Sequence, residues 1–211
     1  MRYAFIFPVL FFLISCSDNE NKPAVADSLS KKDSVKKALQ EDLPPPSDIK
    51  QFNWFYSAFA QAAITGNDTL FDVNIHPQYG LWIVYSNGAM PQLMHVKHIL
   101  EYKNAAGKSL LPFDRDAMIN VPKEETLPVV DCNNKNYWSK TGCFTSMENK
   151  FAEQKIWKYA ALSADKDKEI EELASTITRT VINTANYRFY FSLIKGTWYL
   201  TFMDVRRPCE A

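Results

Sequence analysis

The clearest helical pattern in the chain begins after residue 48. Apolar side chains recur there every three or four positions, at Ile49, Phe52, Phe55 or Tyr56, Phe59 and Ala63. This spacing predicts a helix with one buried face. Ser47 and Asp48 can cap its first turn, and Gly66-Asn67 is typical of a helix end. A second, short helix is predicted at about residues 68–75, with Leu70 and Val73 facing inward.

Branched and alternating runs predict strands further along the chain. Gly80 precedes the apolar run Leu81–Tyr85, which is short and aromatic as strands often are, and Asn87-Gly88 predicts a turn after it. The strongest strand pattern comes later, because apolar and polar residues alternate over 189–193 and again over 198–202. The turn Lys195-Gly196 lies between these runs and predicts a β-hairpin.

The middle of the chain gives weaker patterns. Residues 153–162 have helical spacing with Ile156, Tyr159 and Ala160 on one side. A further helix starts at Asp165 or Asp167, with Ile170, Leu173 and Ile177 inward. The β-branched run 176–184 predicts that this helix gives way to a strand. The pattern over residues 95–102 is compatible with either a helix or a strand. Residues 103–150 are rich in turn-forming residues. The predicted order along the chain, with helices first and antiparallel strands last, indicates an α+β domain.

The N-terminus has the pattern of an export signal. A short basic start, Met1-Arg2, is followed by an apolar run from Tyr3 to Ile14. This run of ~12 residues is shorter than the ~20 that a membrane-spanning helix needs, and it has the length of a signal-peptide core. It ends in Leu13-Ile14-Ser15-Cys16, which resembles the lipobox of bacterial lipoproteins.

This resemblance implies a lipoprotein precursor. Residues 1–15 would be removed as the signal peptide, and Cys16 would carry the acyl chains that anchor the protein to a membrane. The alternatives are an uncleaved anchor and an ordinary secretory signal. The acidic stretch 17–20 resembles signals that send some lipoproteins to the outer membrane and its surface, so we expect the outer rather than the inner membrane, with the periplasmic or external side left open.

Residues 16–48 have few large apolar side chains and end near Pro44-Pro45-Pro46. Such a segment cannot bury enough surface to offset the entropy of ordering it, so a flexible tether is predicted. The chain therefore divides into a signal peptide (1–15), the lipidated cysteine and tether (16–48), and one α+β domain (49–211).

Composition and charge narrow the choice of partners. The 211 residues carry 24 basic and 24 acidic side chains with no dense basic cluster, which argues against a nucleic-acid partner. No C-x-x-C metal motif occurs, and neither a metal nor a cofactor is expected. The expected partners are a membrane, through the lipid on Cys16, and a small ligand or an envelope protein.

Two segments carry a further resemblance. Residues 75–82, Ile-His-Pro-Gln-Tyr-Gly-Leu-Trp, and 189–200, Phe-Tyr-Phe-Ser-Leu-Ile-Lys-Gly-Thr-Trp-Tyr-Leu, resemble uncharacterised secreted bacterial lipoproteins. Those proteins resemble in turn the NTF2-like (cystatin-like) superfamily. The resemblance implies a curved antiparallel sheet that wraps the N-terminal helix into a cone. Its matched segments are structural, so they imply no catalytic residue.

Candidate chemistry rests on a few polar residues. Asp72 and His76 lie four apart, and on a helix they would share a face as an acid–base pair, although His76 capping a short helix is the simpler interpretation. His95 and His98 would adjoin on a helix as zinc ligands do, but no companion ligand is evident. The carboxylates of Asp114, Asp116, Glu124 and Glu125 lack the glycine turn of a calcium loop and favour a solvated loop.

Aromatic residues are the better candidates for binding. On the concave face of a cone they would line an apolar pocket, although packing in the core is the alternative for each of them. The candidates are Trp54, Tyr56, Trp82, Tyr85 and Trp198. One of Trp54 and Tyr56 is expected to be exposed, because they flank the inward stripe of the first helix.

Three cysteines remain if Cys16 is lipidated. An exported protein permits disulfides, and the preferred pair is Cys132–Cys209, which would close a long loop. Cys132–Cys143 is the alternative pair, although Cys143 beside Phe144 is suited to be a buried thiol. The leading hypothesis is a non-enzymatic, lipid-anchored binding or interaction module. A small-molecule enzyme with its site inside the cone and a structural subunit of an envelope complex are the alternatives.

Overall fold

The computed structural model describes residues 48–86, 88 and 90–209. The predicted signal peptide, Cys16 and most of the predicted tether lie outside the described residues, and so does Asn87 of the predicted turn. No helix in the described part of the chain has the length and apolar character needed to cross a membrane.

The first helix, α1 (Ile49–Thr65), is confirmed together with both of its caps. The Asp48 side chain accepts a hydrogen bond from the Lys50 N–H, and the helix ends at Gly66, whose φ is +68°. The second helix, α2 (Asp68–Asp72), is shorter than predicted. Its predicted inner face is wrong, since Leu70 and Val73 are exposed, whereas Phe71 is buried and packs its ring 5.4 Å from that of Phe59.

The α+β class is confirmed, with a single seven-stranded mixed sheet. The strands are β1 (Leu81–Ser86), β2 (Pro91–Val96), β3 (Lys123–Glu124), β4 (Cys143–Ser146), β5 (Ile177–Asn183), β6 (Tyr187–Ile194) and β7 (Thr197–Asp204). Their order across the sheet is β2-β1-β7-β6-β5-β4-β3. The pairs β1–β7 and β3–β4 are parallel, and the other neighbours are antiparallel. The sheet is therefore mixed rather than wholly antiparallel.

The remaining helices are short and lie between the strands. They are α3 (Arg115–Met118), α4 (Lys150–Gln154), α5 (Ala164–Ala174) and two 3-10 helices, Ile99–Glu101 and Ile156–Tyr159. The continuous helix predicted over 153–162 is wrong, because Lys155 adopts a left-handed conformation (φ +46°) that ends α4. Tyr159, predicted to face inward, is consequently exposed.

Each face of the sheet carries its own apolar core. In β1, Leu81 and Ile83 belong to the core beneath α1, whereas Trp82 and Val84 belong to a second core beneath α4 and α5. This alternation follows from the two-residue period of a strand. The sheet is therefore a central layer, covered by α1 and α2 on one face and by α4 and α5 on the other.

The predicted hairpin is confirmed as β6 and β7, joined at Lys195-Gly196. Its register shifts between Tyr190, which pairs with Phe202, and Phe191, which pairs with Leu200. Because a bulge reverses the alternation of side chains, Phe202 points into the α5 core although Leu200 points into the α1 core.

A long connection, residues 103–142, leads to β4 and contains α3 and β3, and β3 pairs with β4 at the edge of the sheet. It is anchored by a small cluster of Leu127, Trp138, Phe144 and Ile182. It is also linked to the segment after β7 by a disulfide between Cys132 and Cys209, so the preferred cysteine pair is confirmed. Cys143 is buried and not disulfide-bonded.

Candidate functional site

A groove of about 480 Å³ opens where α3, the connection before β4 and the β5–β6 turn meet. We call it the asparagine groove. It is lined by Asp116, Ala117, Asn120, Lys135, Asn136, Tyr137, Thr141, Gly142, Cys143, Asn183, Thr184, Ala185 and Asn186. Its single acidic and single basic side chains balance in charge, so its polarity comes mainly from amides and hydroxyls.

Hydrogen bonds fix the wall formed by the β5–β6 turn. The Asn183 amide donates to the carbonyl of Ala117 (2.7 Å) and accepts from the N–H of Ala185 (3.0 Å). The Thr184 hydroxyl accepts from the N–H of Gly142 (2.9 Å), and the Thr184 N–H donates to the Gly142 carbonyl (3.0 Å). These contacts tie α3, the connection and the turn into one rigid wall.

The opposite wall presents an aromatic ring. Tyr137 is partly exposed and has a φ of +62°, a conformation that is unfavourable for a bulky residue. The chain on both sides of Tyr137 restrains this conformation, because Trp138 is buried and Cys132 is disulfide-bonded. Strained backbone that the surroundings enforce is frequent at binding sites.

The floor of the groove is chemically inert near neutral pH. Burial raises the pKa of the Cys143 thiol to about 11, and its hydrogen bond with Tyr56 offsets only part of that effect. The Tyr56 hydroxyl lies 3.6 Å from the sulfur, and burial also raises its pKa well above the ordinary value. Both groups therefore stay protonated, whereas a nucleophilic cysteine requires a thiolate.

Several polar groups of the groove are available to a ligand. The side chains of Asp116, Asn120 and Asn186 make no hydrogen bond to another described residue. An amide offers two donors and an acceptor, so it can bind a hydroxyl in either role. The arrangement can therefore hold an uncharged, hydroxyl-bearing molecule against the ring of Tyr137.

No protein-family model matches this chain, and no curated protein or solved structure matches it either.

The Asp72–His76 pair predicted from spacing is wrong. Asp72 bonds instead to His98 Nδ1 (3.1 Å) and to the N–H of Ile99 (2.9 Å). His76 Nδ1 accepts from the N–H groups of Gln78 and Tyr79. The reason is that α2 ends at Asp72, so the helical face that the two residues would have shared does not exist. Burial, and then the charge of Lys195, lower the pKa of His76.

The other histidine candidates and three of the four acidic candidates have structural partners, whereas Asp116 lines the asparagine groove. His95 lies on β2 and bonds through Nε2 to the Tyr79 carbonyl (2.8 Å), away from His98, so the pair does not form a zinc site. Asp114 caps α3, Glu124 pairs with the buried Arg179, and Glu125 pairs with Lys140. Among the described residues, no group of three His, Cys, Asp or Glu side chains could hold a metal ion.

The five candidate aromatics are not brought together. Tyr56 and Trp198 are buried in the α1 core, and Trp82 is buried on the opposite face of the sheet. Trp54 is 79% exposed, as expected for one of the residues beside the inward stripe. Tyr85 lines an open groove together with Tyr102 and Tyr187. The predicted single aromatic pocket is therefore wrong, since alternation along β1 sends Trp82 and Tyr85 to different sides.

Sequence analysis missed the residues that line the asparagine groove. Asn120, Asn136, Asn186 and Tyr137 lie in connections that had no predicted structure. The available signal was composition, because asparagines recur over residues 133–136 and 183–186, on either side of Cys143 in the chain. Only the folded chain shows that these two segments face each other.

Proposed function

We propose that this chain is a lipid-anchored binding protein of the bacterial cell envelope that holds a neutral, hydroxyl-rich ligand such as a saccharide in the asparagine groove. The observation that carries the proposal is a rigid groove of about 480 Å³ that combines an exposed aromatic ring with amide groups that have no hydrogen-bond partner among the described residues. Ligand sites characteristically combine a preformed concavity with a few convergent polar groups.

The anchor in this proposal is the lipid on Cys16. Its support is the sequence 13–16, Leu-Ile-Ser-Cys, at the end of an apolar run of signal-peptide length. The tether (16–48) would connect the lipid to α1, and the outer membrane is the proposed location. More than one acyl chain is needed for stable anchoring, which lipoprotein processing would supply.

The proposed finer fold is an NTF2-like cone. Its support is that α1 lies against one face of the sheet, where the ring centres of Phe52 in α1 and Phe191 in β6 are 5.4 Å apart. The curved sheet of such a cone would enclose this helix. An experimental structure in which α1 lies away from the β6–β7 hairpin would contradict it.

Binding is favoured over catalysis by the chemistry of the groove. An acid–base or nucleophilic mechanism needs a group with a pKa near the working pH. Cys143, the groove residue with a clearly shifted pKa, is shifted in the wrong direction for a nucleophile. The enzyme alternative would therefore need a reactive group on its substrate or on another molecule.

The ligand proposal is tested with two groove variants and a matched control. Asn120→Ala removes an exposed amide, and Asn186→Gly removes another while tolerating the φ of +77° at that position. Asn133→Ala changes the same residue type in an exposed position outside the groove. Calorimetric titration with neutral mono- and oligosaccharides should show affinity about tenfold lower in each groove variant and unchanged in the control.

Two results would count against this ligand class. One is the absence of any calorimetric signal from the parent protein across the saccharides. The other is an equal loss of affinity in Asn133→Ala, which would place the ligand outside the groove.

The anchor is tested separately with Cys16→Ser. This variant should no longer incorporate labelled fatty acid, while the thermal unfolding of the folded domain stays unchanged because the substitution lies outside it. Continued labelling would refute the anchor without affecting the ligand proposal.

A further inference from the structure

A second, smaller pocket lies beside the end of β7, on a different part of the surface from the asparagine groove. It has a volume of about 250 Å³, and all of its charged lining residues are arginines: Arg188, Arg206 and Arg207. We call it the arginine pocket. The rest of its described lining is uncharged: Ser86, Gly88, Pro91, Val130, Pro208 and Cys209.

A buried carboxylate leaves an excess of positive charge at this place. Asp204 is 1% exposed and bonds to Arg188 Nη2 (3.1 Å) and, through both of its oxygens, to Arg206 Nε (3.0 Å) and Nη2 (2.8 Å). Two guanidinium groups share this one carboxylate, so the triad keeps a net charge of +1 (2 − 1). Arg188 and Arg206 are 11% and 24% exposed, so water screens this charge only partly.

One donor in the triad is left without a partner. Arg188 Nε is buried and has no hydrogen-bond partner among the described residues. An unpaired buried N–H on a charged group is costly. A bound anion would neutralise the excess charge of this triad.

The guanidinium groups are held in place before any ligand arrives. Arg188 donates to the carbonyl of Arg206, and its guanidinium lies 5.7 Å from the centre of the Trp138 ring. The Cys132–Cys209 disulfide fixes the segment that carries Arg206 and Arg207. Donors that are already ordered lose little entropy on binding, and the planar fork of arginine matches the oxygens of phosphate.

The arginine pocket continues into a larger groove. Ser86, Arg206 and Arg207 also line a groove of about 470 Å³ whose walls include Tyr85, Tyr102 and Tyr187. A ligand whose anionic end occupies the arginine pocket therefore has room for an organic part beside the tyrosines.

We infer that the arginine pocket binds the phosphate group of a small organic phosphate, whose organic part lies along the tyrosine-lined groove. Several guanidinium donors surround the phosphate, and the positive charge of the triad becomes neutralised. A free metabolite and a phospholipid headgroup carry the same phosphate chemistry, so the test separates these two sources.

The first arm uses the soluble probes inorganic phosphate and phenyl phosphate, measured by isothermal calorimetry on the full chain with Cys16→Ser. Phenyl phosphate should bind about tenfold more tightly than inorganic phosphate, because its ring reaches the tyrosines. Arg207→Gln should weaken both by at least about fivefold. Arg115→Gln, the matched control, removes an exposed arginine on α3 outside the pocket and should change neither.

The second arm uses vesicles of phosphatidylcholine with and without phosphatidylglycerol, and Cys16→Ser removes any contribution from the anchor. Binding that requires phosphatidylglycerol and is lost in Arg207→Gln assigns the phosphate to a lipid headgroup. Binding of phenyl phosphate without vesicle binding assigns it to a soluble molecule. The inference is overturned if neither probe binds, or if Arg207→Gln and Arg115→Gln behave alike. Loss of saccharide binding in Asn120→Ala is a separate result, because Asn120 lines the asparagine groove and neither the arginine pocket nor the tyrosine-lined groove.

Discussion

The backbone at the start of β1 requires a glycine at position 80. The φ of Gly80 is +65°, and the residue lies directly before β1, where its backbone forms an antiparallel β-bridge with that of His76. A Cβ at this position would lie 2.7 Å from the Val96 carbonyl oxygen and closer still to His95 Nε2. The start of β1 therefore depends on a residue that lacks a side chain.

We expect Gly80→Ala to lower the free energy of unfolding by more than about 3 kcal/mol, since both a left-handed backbone and a backbone clash oppose the methyl group. Gly107→Ala is the control, because Gly107 has a similar φ of +72° and open space around it. It should cost about 1 kcal/mol. Urea denaturation measures both, and equal losses would show that the contact with β2 is unimportant.

Cys143 gives a prediction about pH. At pH 8 a thiol with a pKa of about 11 has about 100-fold less thiolate than one with the ordinary value, so alkylation by iodoacetamide should be slower by at least that factor. Because folding raises this pKa above 9.0, the neutral thiol stabilises the fold below that pH, and the effect is lost as pH rises towards about 11. Peptide mapping after timed alkylation, with urea-unfolded protein as reference, measures the rate. Equal rates in the two samples would contradict it.

The sequence predicted residue roles well where the role was local. The capping by Asp48 followed from neighbouring residues, and the pair Cys132–Cys209 was preferred because Cys143 lies beside Phe144 and is suited to be a buried thiol. The partner of Asp72 did not, because His98 lies 26 residues away and reaches it only through the fold. The same limit hid the asparagine groove, whose walls come from separate segments.

At the scale of elements, strong periodicity was a good guide and weak periodicity was not. α1 and the β6–β7 hairpin form in the predicted places, because their apolar residues follow one period over most of their length, although the bulge in the hairpin turns Phe202 to the other face. The helix expected over 153–162 is broken at Lys155, a residue with no intrinsic preference for a left-handed backbone. This break in the helix allows the rings of Phe151 and Trp157 to stack, with their centres 5.1 Å apart.

Helix α5 should contribute substantially to stability because, together with α4, it covers one face of the sheet. Ile170 is fully buried there, so Ile170→Ala should lower the free energy of unfolding by about 2–5 kcal/mol. Lys168→Ala on the exposed side of the same helix should cost less than about 0.5 kcal/mol. Guanidinium denaturation compares them. A small effect of Ile170→Ala would mean that the second face contributes little to stability.

At the scale of the whole molecule, the disulfide links two distant parts of one domain. Loss of the Cys132–Cys209 bond, which closes a separation of 77 residues, should lower the free energy of unfolding by about 4.5 kcal/mol from chain entropy. The double variant Cys132→Ser/Cys209→Ser in denaturant measures this loss. Reductant should destabilise the parent protein by a similar amount and leave the double variant unchanged. If reductant also destabilised the double variant, the loss of stability would have a cause other than this disulfide.

The arrangement of the whole sheet was beyond sequence reasoning. The α+β class followed from the order of elements, but the parallel pairing of β1 with β7 joins residues such as Trp82 and Phe202, which local patterns cannot connect. The second layer of helices was also unforeseen, because Trp82 and Val84 alternate with equally apolar neighbours and so indicate no exposed side.

The position of β7 has a consequence for how the protein acquires its shape. It comes last of the seven described strands along the chain, yet it lies between β1 and β6, inside the sheet. A polypeptide that emerges from a ribosome or a translocation pore with its N-terminus first would hold β1 and β2 as an isolated hairpin until β7 arrives. Two-stranded hairpins are only marginally stable alone. β1 and β2 would therefore join the rest of the sheet only when the final strand is released.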